Sequence, residues 1–175
     1  DPIRTVQTYR LLAERTSYPL HLGVTEAGTR LAGTVRSCAA LGVLLGEGIG
    51  DTIRISLTDE PEEEVRVGLE LLRCLGLRTE GVHVISCPTC GRTKIPVAEI
   101  ARELEKRLET LSHQYPGMIL PRVAVMGCVV NGPGEAREAD IAAAGGEGVA
   151  VLYRQGLTVG RVKEDEIVPA LVEEV

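Results

Sequence analysis

The segment Ser86-Cys87-Pro88-Thr89-Cys90-Gly91-Arg92 carries two thiols with two residues between them. A turn of that length curls both sulfurs inward, so they can share one metal ion, one cluster or one disulfide. Downstream, Met126-Gly127-Cys128-Val129-Val130-Asn131-Gly132-Pro133-Gly134-Glu135 brings a third thiol among glycines, which let the backbone pass close to something bulky. Three chemistries stay open on spacing alone: an iron–sulfur cluster, structural zinc, or a redox dithiol with an unrelated Cys128. Zinc wants a fourth ligand, and no histidine is near these cysteines in sequence; His83 and His113 could reach them only by folding. A dithiol usually opens a helix, whereas Pro96 starts the next helix several residues after Cys90.

Two further groups could act on a substrate. Thr25-Glu26-Ala27-Gly28 follows a short strand directly, a position where α/β enzymes place catalytic carboxylates and where a solvated loop is the alternative. In Ile53-Arg54-Ile55-Ser56-Leu57, period-two geometry puts Arg54 and Ser56 on one face. An inward Arg54 suits a diphosphate, which accepts paired hydrogen bonds; a structural salt bridge or an exposed strand face is the other reading. Cys38 and Cys74 fall in helical segments and read as packing residues, and His21, His83 and His113 read as structural.

The elements that must position these groups follow from hydrophobic spacing. Helices are expected at 3–14 (Val6, Tyr9, Leu11 and Leu12 near one face), at 31–45 (Leu31, Val35, Cys38, Gly42 and Leu45) and at 61–75. Strands are expected at 20–24 and 52–57. That alternation is the grammar of a parallel α/β protein, although two strands cannot close a barrel. From Gly81 the grammar changes. Strands at 82–86 and 122–126 each run into a cysteine site, and Val97, Ile100, Ala101, Leu104, Leu108 and Leu111 form a helical stripe between them. Segment 136–147 reads as an exposed connection, 149–153 and 157–162 as a hairpin about Gln155-Gly156, and 164–172 as a closing helix. A domain boundary is expected near residue 80.

Composition narrows the classes. The chain has 175 residues, 44% hydrophobic and 25% charged, which is ordinary for a globular domain. Phe and Trp are absent, so aliphatic residues must build the core and aromatic platforms for bases are lacking. The net charge of −6 and the lack of a basic block argue against nucleic acid as a partner. No apolar run is long enough for a membrane span, and no secretory pattern opens the chain. Five cysteines without secretory context favour metal or redox use in the cytoplasm over a disulfide framework. The first residues, Asp1-Pro2, suggest that the natural chain begins earlier.

Taken together, His21-Leu22-Gly23-Val24-Thr25-Glu26-Ala27-Gly28, Gly48-Ile49-Gly50-Asp51-Thr52-Ile53-Arg54, Cys87-Pro88-Thr89-Cys90 and Gly127 through Glu135 resemble, in this order, the 4-hydroxy-3-methylbut-2-enyl diphosphate synthase family. The resemblance spans about residues 1 to 170. It implies an α/β fold: residues 1–80 as the last two strands and flanking helices of a TIM-type barrel, and residues 81–175 as an α+β 4Fe–4S domain similar to those of sulfite and nitrite reductases. It implies cluster ligation by Cys87, Cys90, Cys128 and Glu135, with Glu26 as the active-site carboxylate. Arg54, Ser56 and Asn131 become candidate substrate contacts. The implied reaction is reductive ring opening of 2-C-methyl-D-erythritol 2,4-cyclodiphosphate in isoprenoid biosynthesis, with electrons from ferredoxin or flavodoxin. The implied assembly is a homodimer in which the cluster domain of one subunit caps the barrel of the other. The family often has Lys-Ser where this chain has Arg36-Ser37, which keeps the charge. Six of the family's barrel strands have no counterpart here, so this chain by itself is expected to be inactive. A non-catalytic zinc-stabilised interaction module is the competing reading.

Overall fold

A computed structural model describes residues 1–115, 117–130 and 132–175, the side chains of Pro133 and Glu135 excepted. Asn131 and the Glu135 carboxylate, both expected site groups, lie outside the described residues. The chain divides into two compact units, Asp1–Thr79 and Glu80–Val175.

The first unit opens with helix α1 (Pro2–Arg15), whose start is fixed by the Asp1 carboxylate accepting from the amides of Ile3 (2.9 Å) and Arg4 (3.1 Å). Strand β1 (His21–Gly23), helix α2 (Arg30–Gly46), strand β2 (Thr52–Arg54) and helix α3 (Pro61–Cys74) follow. Both strands are shorter than expected. They pair in parallel, with Leu22 opposite Ile53 and Gly23 opposite Arg54. On α1 only Val6 is buried; Leu11 and Leu12 are exposed. On α2 the expected face is corrected. Leu31 and Val35 are exposed, and the helix buries Gly33, Ser37, Ala40, Leu41 and Leu44 instead. Small residues on that face bring the helix backbone close to the segments that follow β1 and β2. A Cβ on Gly33 would meet Leu57 Cδ2 at 2.5 Å and the Gly28 carbonyl at 2.9 Å. Leu22, Val24, Ala40, Leu41, Leu44, Ile55 and Leu71 form this unit's core.

The second unit is built on one five-stranded sheet in the order β3-β4-β5-β6-β7. Its elements are β3 (His83–Ser86), α4 (Val97–Gln114), β4 (Arg122–Met126), a short helical turn α5 (Gly132–Glu135), β5 (Ile141–Gly145), β6 (Val149–Arg154), β7 (Leu157–Lys163) and α6 (Ile167–Glu173). A single 3₁₀ turn (Ala136–Glu138) follows α5, and another (Glu164–Glu166) precedes α6. Strands β3, β4 and β5 are parallel, and β6 and β7 continue the sheet antiparallel. The β6–β7 hairpin turns on Gln155 (φ 49°) and Gly156 (φ 75°), both in the left-handed region that two-residue hairpin loops require. Alternation sorts the strands between two layers. Val123, Val125, Ile141, Ala143, Ala150 and Leu152 face α4 and α6, where Leu104, Leu108, Ile167 and Leu171 meet them. Ala124, Met126, Ala142, Ala144 and Tyr153 face the other way, onto Ala136 and Ala139.

Two expectations are overturned here. Segment 136–147 is not an exposed connection: β5 lies at the middle of the sheet and all five of its residues are buried. An Ala-Ala-Ala-Gly-Gly run signals a strand weakly, because alanine and glycine have low strand propensity. Its value here is thinness. A Cβ on Gly132 would meet Ala144 Cβ at 2.6 Å, so α5 rides directly on the sheet. The expected fold class is corrected as well. No sheet closes into a barrel among the described residues; β1 and β2 make an isolated parallel pair, and closure needs a full ring of tilted strands. Nor does the second unit present a formed cluster domain. No group of three or more His, Cys, Asp or Glu among the described residues gathers closely enough to hold a metal ion. No described helix is long and apolar enough to cross a membrane.

Cys38 is half-buried against the first unit's core, while Cys74 is exposed, against the packing role expected of it. Burial, and secondarily the nearby Cys74, raises the Cys38 pKa above the ordinary thiol value. The neutral thiol is therefore the form the fold favours. Its contribution is complete below the unfolded pKa and is lost as pH rises through the folded one. Alkylation followed by peptide mapping should show Cys38 reacting only as pH climbs past the normal thiol range, and Cys38→Ala should flatten the alkaline fall in melting temperature. Gly145 offers a packing test. A Cβ there would meet three Ile95 side-chain carbons at 2.5, 2.6 and 2.8 Å. Gly145→Ala is expected to destabilise the chain by about 1–3 kcal/mol in urea melts, the usual cost of overpacking.

Candidate functional site

Two strand ends define the thiol site. β3 ends at Ser86 and β4 at Met126, and the two pair in parallel with Ser86 opposite Val125. Their carboxyl ends therefore emerge side by side, followed directly by Cys87 and by Gly127-Cys128. The ladder runs one bond further, with the Cys87 amide donating to the Val125 carbonyl at 3.3 Å. The Gly127 amide then donates to Cys87 Sγ at 3.2 Å. Gly127 also accepts from the Lys94 amide at 2.8 Å, so one residue joins both cysteine loops.

Cys90 sits on a turn closed by its own bonds. The Thr93 amide donates to the Cys90 carbonyl at 3.0 Å, and the Cys90 amide donates to Thr93 Oγ1 at 3.0 Å. Cys90 is exposed, and Cys87 and Cys128 are half-buried. Lys94 Nζ pairs with Glu147 at 3.2 Å, which links this loop to the β5–β6 turn. The structure thus brings Cys87 against the residue before Cys128 but does not draw all three sulfurs into a closed ligand group. Thiols do not attract one another, so backbone bonding of the two loops sets their positions. In donor type, three thiols on the loops that follow two adjacent strands, one already accepting a peptide N–H, suit the soft sites that iron–sulfur clusters and zinc occupy.

The first unit positions the other candidates. Glu26 is exposed in the loop after β1, with φ 53°. A left-handed backbone costs a residue other than glycine about 1–2 kcal/mol, and such strain persists only where neighbours enforce it. Here Arg36 Nη1 donates to the Ala27 carbonyl at 2.6 Å. Gly28, at φ 106°, leaves room for that guanidinium: a Cβ would lie 3.1 Å from Arg36 Nη1. Arg36 therefore holds the loop that carries Glu26.

Arg54, the last residue of β2, lies across Gly23, its partner on β1. A Cβ on Gly23 would come within 3.0 Å of Arg54 Nη2. Arg54 is exposed and makes no ion pair among the described residues. Arg30, by contrast, is committed, bonding Asp59 through Nε at 2.7 Å and Nη2 at 3.2 Å. That bond, joined by the Glu60 amide, holds the Asp59 carboxyl below its usual pKa. Ser56 is half-buried and lies beyond the end of β2, in the stretch leading to α3. His21 serves structure, with Nδ1 2.8 Å from Thr52 Oγ1. His83 and His113 are exposed. Cysteine spacing gave no hint of Thr93, of Gly127 as a shared hinge, or of Gly23 as the space that Arg54 fills. Only close approach in three dimensions exposes them.

Comparison with known proteins accords with this division of the chain. A model of the GcpE protein C-terminal domain matches residues 83–175, and a model of the GcpE TIM-barrel domain matches residues 1–69. The 4-hydroxy-3-methylbut-2-en-1-yl diphosphate synthase (flavodoxin) of Geobacter sulfurreducens is 53% identical over 175 residues, covering 100% of this chain and 48% of the relative. The protein of that name from Tropheryma whipplei (strain Twist) is 55% identical over 174 residues, covering 99% of this chain and 44% of the relative. That of Desulfotalea psychrophila is 52% identical over 174 residues, covering 99% and 46%. The chain spans about half the length of the curated relatives it matches. With one family model covering more than half of its residues, the chain belongs to the GcpE family.

Proposed function

We propose that this chain is part of a 4-hydroxy-3-methylbut-2-en-1-yl diphosphate synthase. The enzyme opens the ring of 2-C-methyl-D-erythritol 2,4-cyclodiphosphate reductively, consuming two electrons and releasing one hydroxyl as water. The observation that carries this reading is the Gly127 amide on Cys87 Sγ, which ties two thiol-bearing strand ends together in a chain about half identical to flavodoxin-type synthases.

Cys87, Cys90 and Cys128 would hold a 4Fe–4S cluster, with Glu135 as the fourth ligand. When bound, such a cluster supplies electrons singly, at a potential set partly by hydrogen bonds to its sulfurs. Reduced flavodoxin or ferredoxin is the electron source, and the working assembly is a homodimer. In the first unit, Arg54 binds the diphosphate. Its fork of N–H donors lies open over Gly23 and matches phosphate oxygens pairwise. Ser56 adds a neutral hydrogen bond to the substrate there, and Asn131 of the second unit is a further candidate contact. Glu26, held on its strained loop by Arg36, orients the substrate or hands over a proton.

Two measurements test this reading. Anaerobic reconstitution with ferrous iron and sulfide should give a brown chain containing both elements, and Cys87→Ser and Cys128→Ser should each lose most of the iron. A colourless wild type that takes up one zinc and no sulfide would overturn the assignment in favour of a zinc-stabilised module. Calorimetric titration with the cyclic diphosphate should show Arg54→Ala binding roughly 10- to 100-fold more weakly, the equivalent of about 1.5–3 kcal/mol for a lost charge-assisted bond. Equal affinity would remove Arg54 from the site.

A further inference from the structure

We propose that Thr93 and Gly127 form a clamp that sets the position of the Cys90 turn relative to Cys87 and Cys128, with Thr93 as a positioning residue. The inference rests on the iron–sulfur reading above and adds to it two residues outside the ligand set.

The two halves of the Thr93 side chain do different work. Oγ1 accepts from the Cys90 amide at 3.0 Å, so the hydroxyl fixes the peptide that carries one thiol. Cγ2 lies against Gly127, where it would stand 2.9 Å from a Cβ, with Oγ1 at 3.1 Å and Val97 Cγ2 at 3.0 Å. That face of Gly127 is thus filled by Thr93 and Val97, and no side chain fits there. Gly127 is also held from both ends of its residue. Its amide donates to Cys87 Sγ, and its carbonyl accepts from the amide of Lys94, the residue after Thr93. The path from Cys90 to Cys87 therefore runs through two hydrogen bonds and one van der Waals contact, with Cys128 next along the chain. Buried just past the end of β4, Gly127 cannot shift without moving Cys87 or Lys94.

This arrangement has an electrostatic consequence. A peptide N–H aimed at a ligand sulfur stabilises negative charge there, more so in the reduced state of a cluster, and so raises the reduction potential. Displacing Gly127 should lower it. Loosening Thr93 should leave that N–H in place and free the Cys90 turn.

The test compares wild type, Thr93→Ser, Thr93→Val and Gly127→Ala, each reconstituted anaerobically with iron and sulfide. Three readouts are taken: iron per chain, the rate of iron loss to a chelator, and the midpoint potential from a titration followed by electron paramagnetic resonance. Thr93→Ser keeps the acceptor but loses the Cγ2 contact with Gly127, so it should load iron fully and lose it at a rate between those of wild type and Thr93→Val. Thr93→Val keeps the packing volume and loses the acceptor, so it should release iron several-fold faster at an unchanged melting temperature. Gly127→Ala should show a lower midpoint potential, or fail to load. If Thr93→Val retains iron as long as wild type does, the clamp is overturned while the cluster reading stands. If wild type itself takes up no iron and sulfide, the cluster reading falls and the clamp has no ligand to serve.

Discussion

A single residue governs the geometry of the thiol site. Gly127 gives its N–H to Cys87 sulfur and takes the N–H of Lys94 on its carbonyl, so the loop after β3 and the loop after β4 cannot be placed independently. Parallel pairing of the two strands is what allows this, because it delivers both carboxyl ends to one edge. The remainder of the second unit supports that edge. Helices α4 and α6 fill one face with leucine and isoleucine, while Ala136 and Ala139, in and just after the 3₁₀ turn that follows α5, cover the other.

The first unit applies a related device to charge. Gly23 has no side chain, so the Arg54 guanidinium can lie across β1. Gly28 leaves space for Arg36, which grips the Ala27 carbonyl and holds Glu26 in a left-handed conformation. In both places a glycine supplies room for an arginine rather than freedom for the backbone alone. Arg30 is committed to Asp59, whereas Arg54 makes no ion pair among the described residues.

Strong periodicity was legible and small residues were not. The stripe of α4 and the bounds of β4 could be read because large aliphatics repeat at one clear period. The site cysteines could be placed just after strand ends for the same reason. The buried face of α2 was misread because Gly33, Ser37 and Ala40 pack by closeness, which no hydrophobic pattern records. Strand β5 was missed because alanine and glycine carry little strand signal. The last two strands of a barrel and a 4Fe–4S domain were expected from likeness to longer relatives rather than from the pattern of these residues. Two short strands make an open pair, and among the described residues the bonded loops do not bring the three sulfurs into one metal-holding group. Thr93 carried no sequence signal, since its role depends on a neighbour more than thirty residues away.

The alanine face of β5 restricts where this unit can be altered. With Gly132 seated on Ala144, any larger side chain at Ala142 or Ala144 would act as a wedge under α5 and lift the segment that follows Cys128. Edge strand β7, by contrast, pairs only with β6 and points Leu157, Val159 and Arg161 into solvent. A fluorophore or affinity handle belongs there, where its bulk would leave the thiol-bearing edge undisturbed.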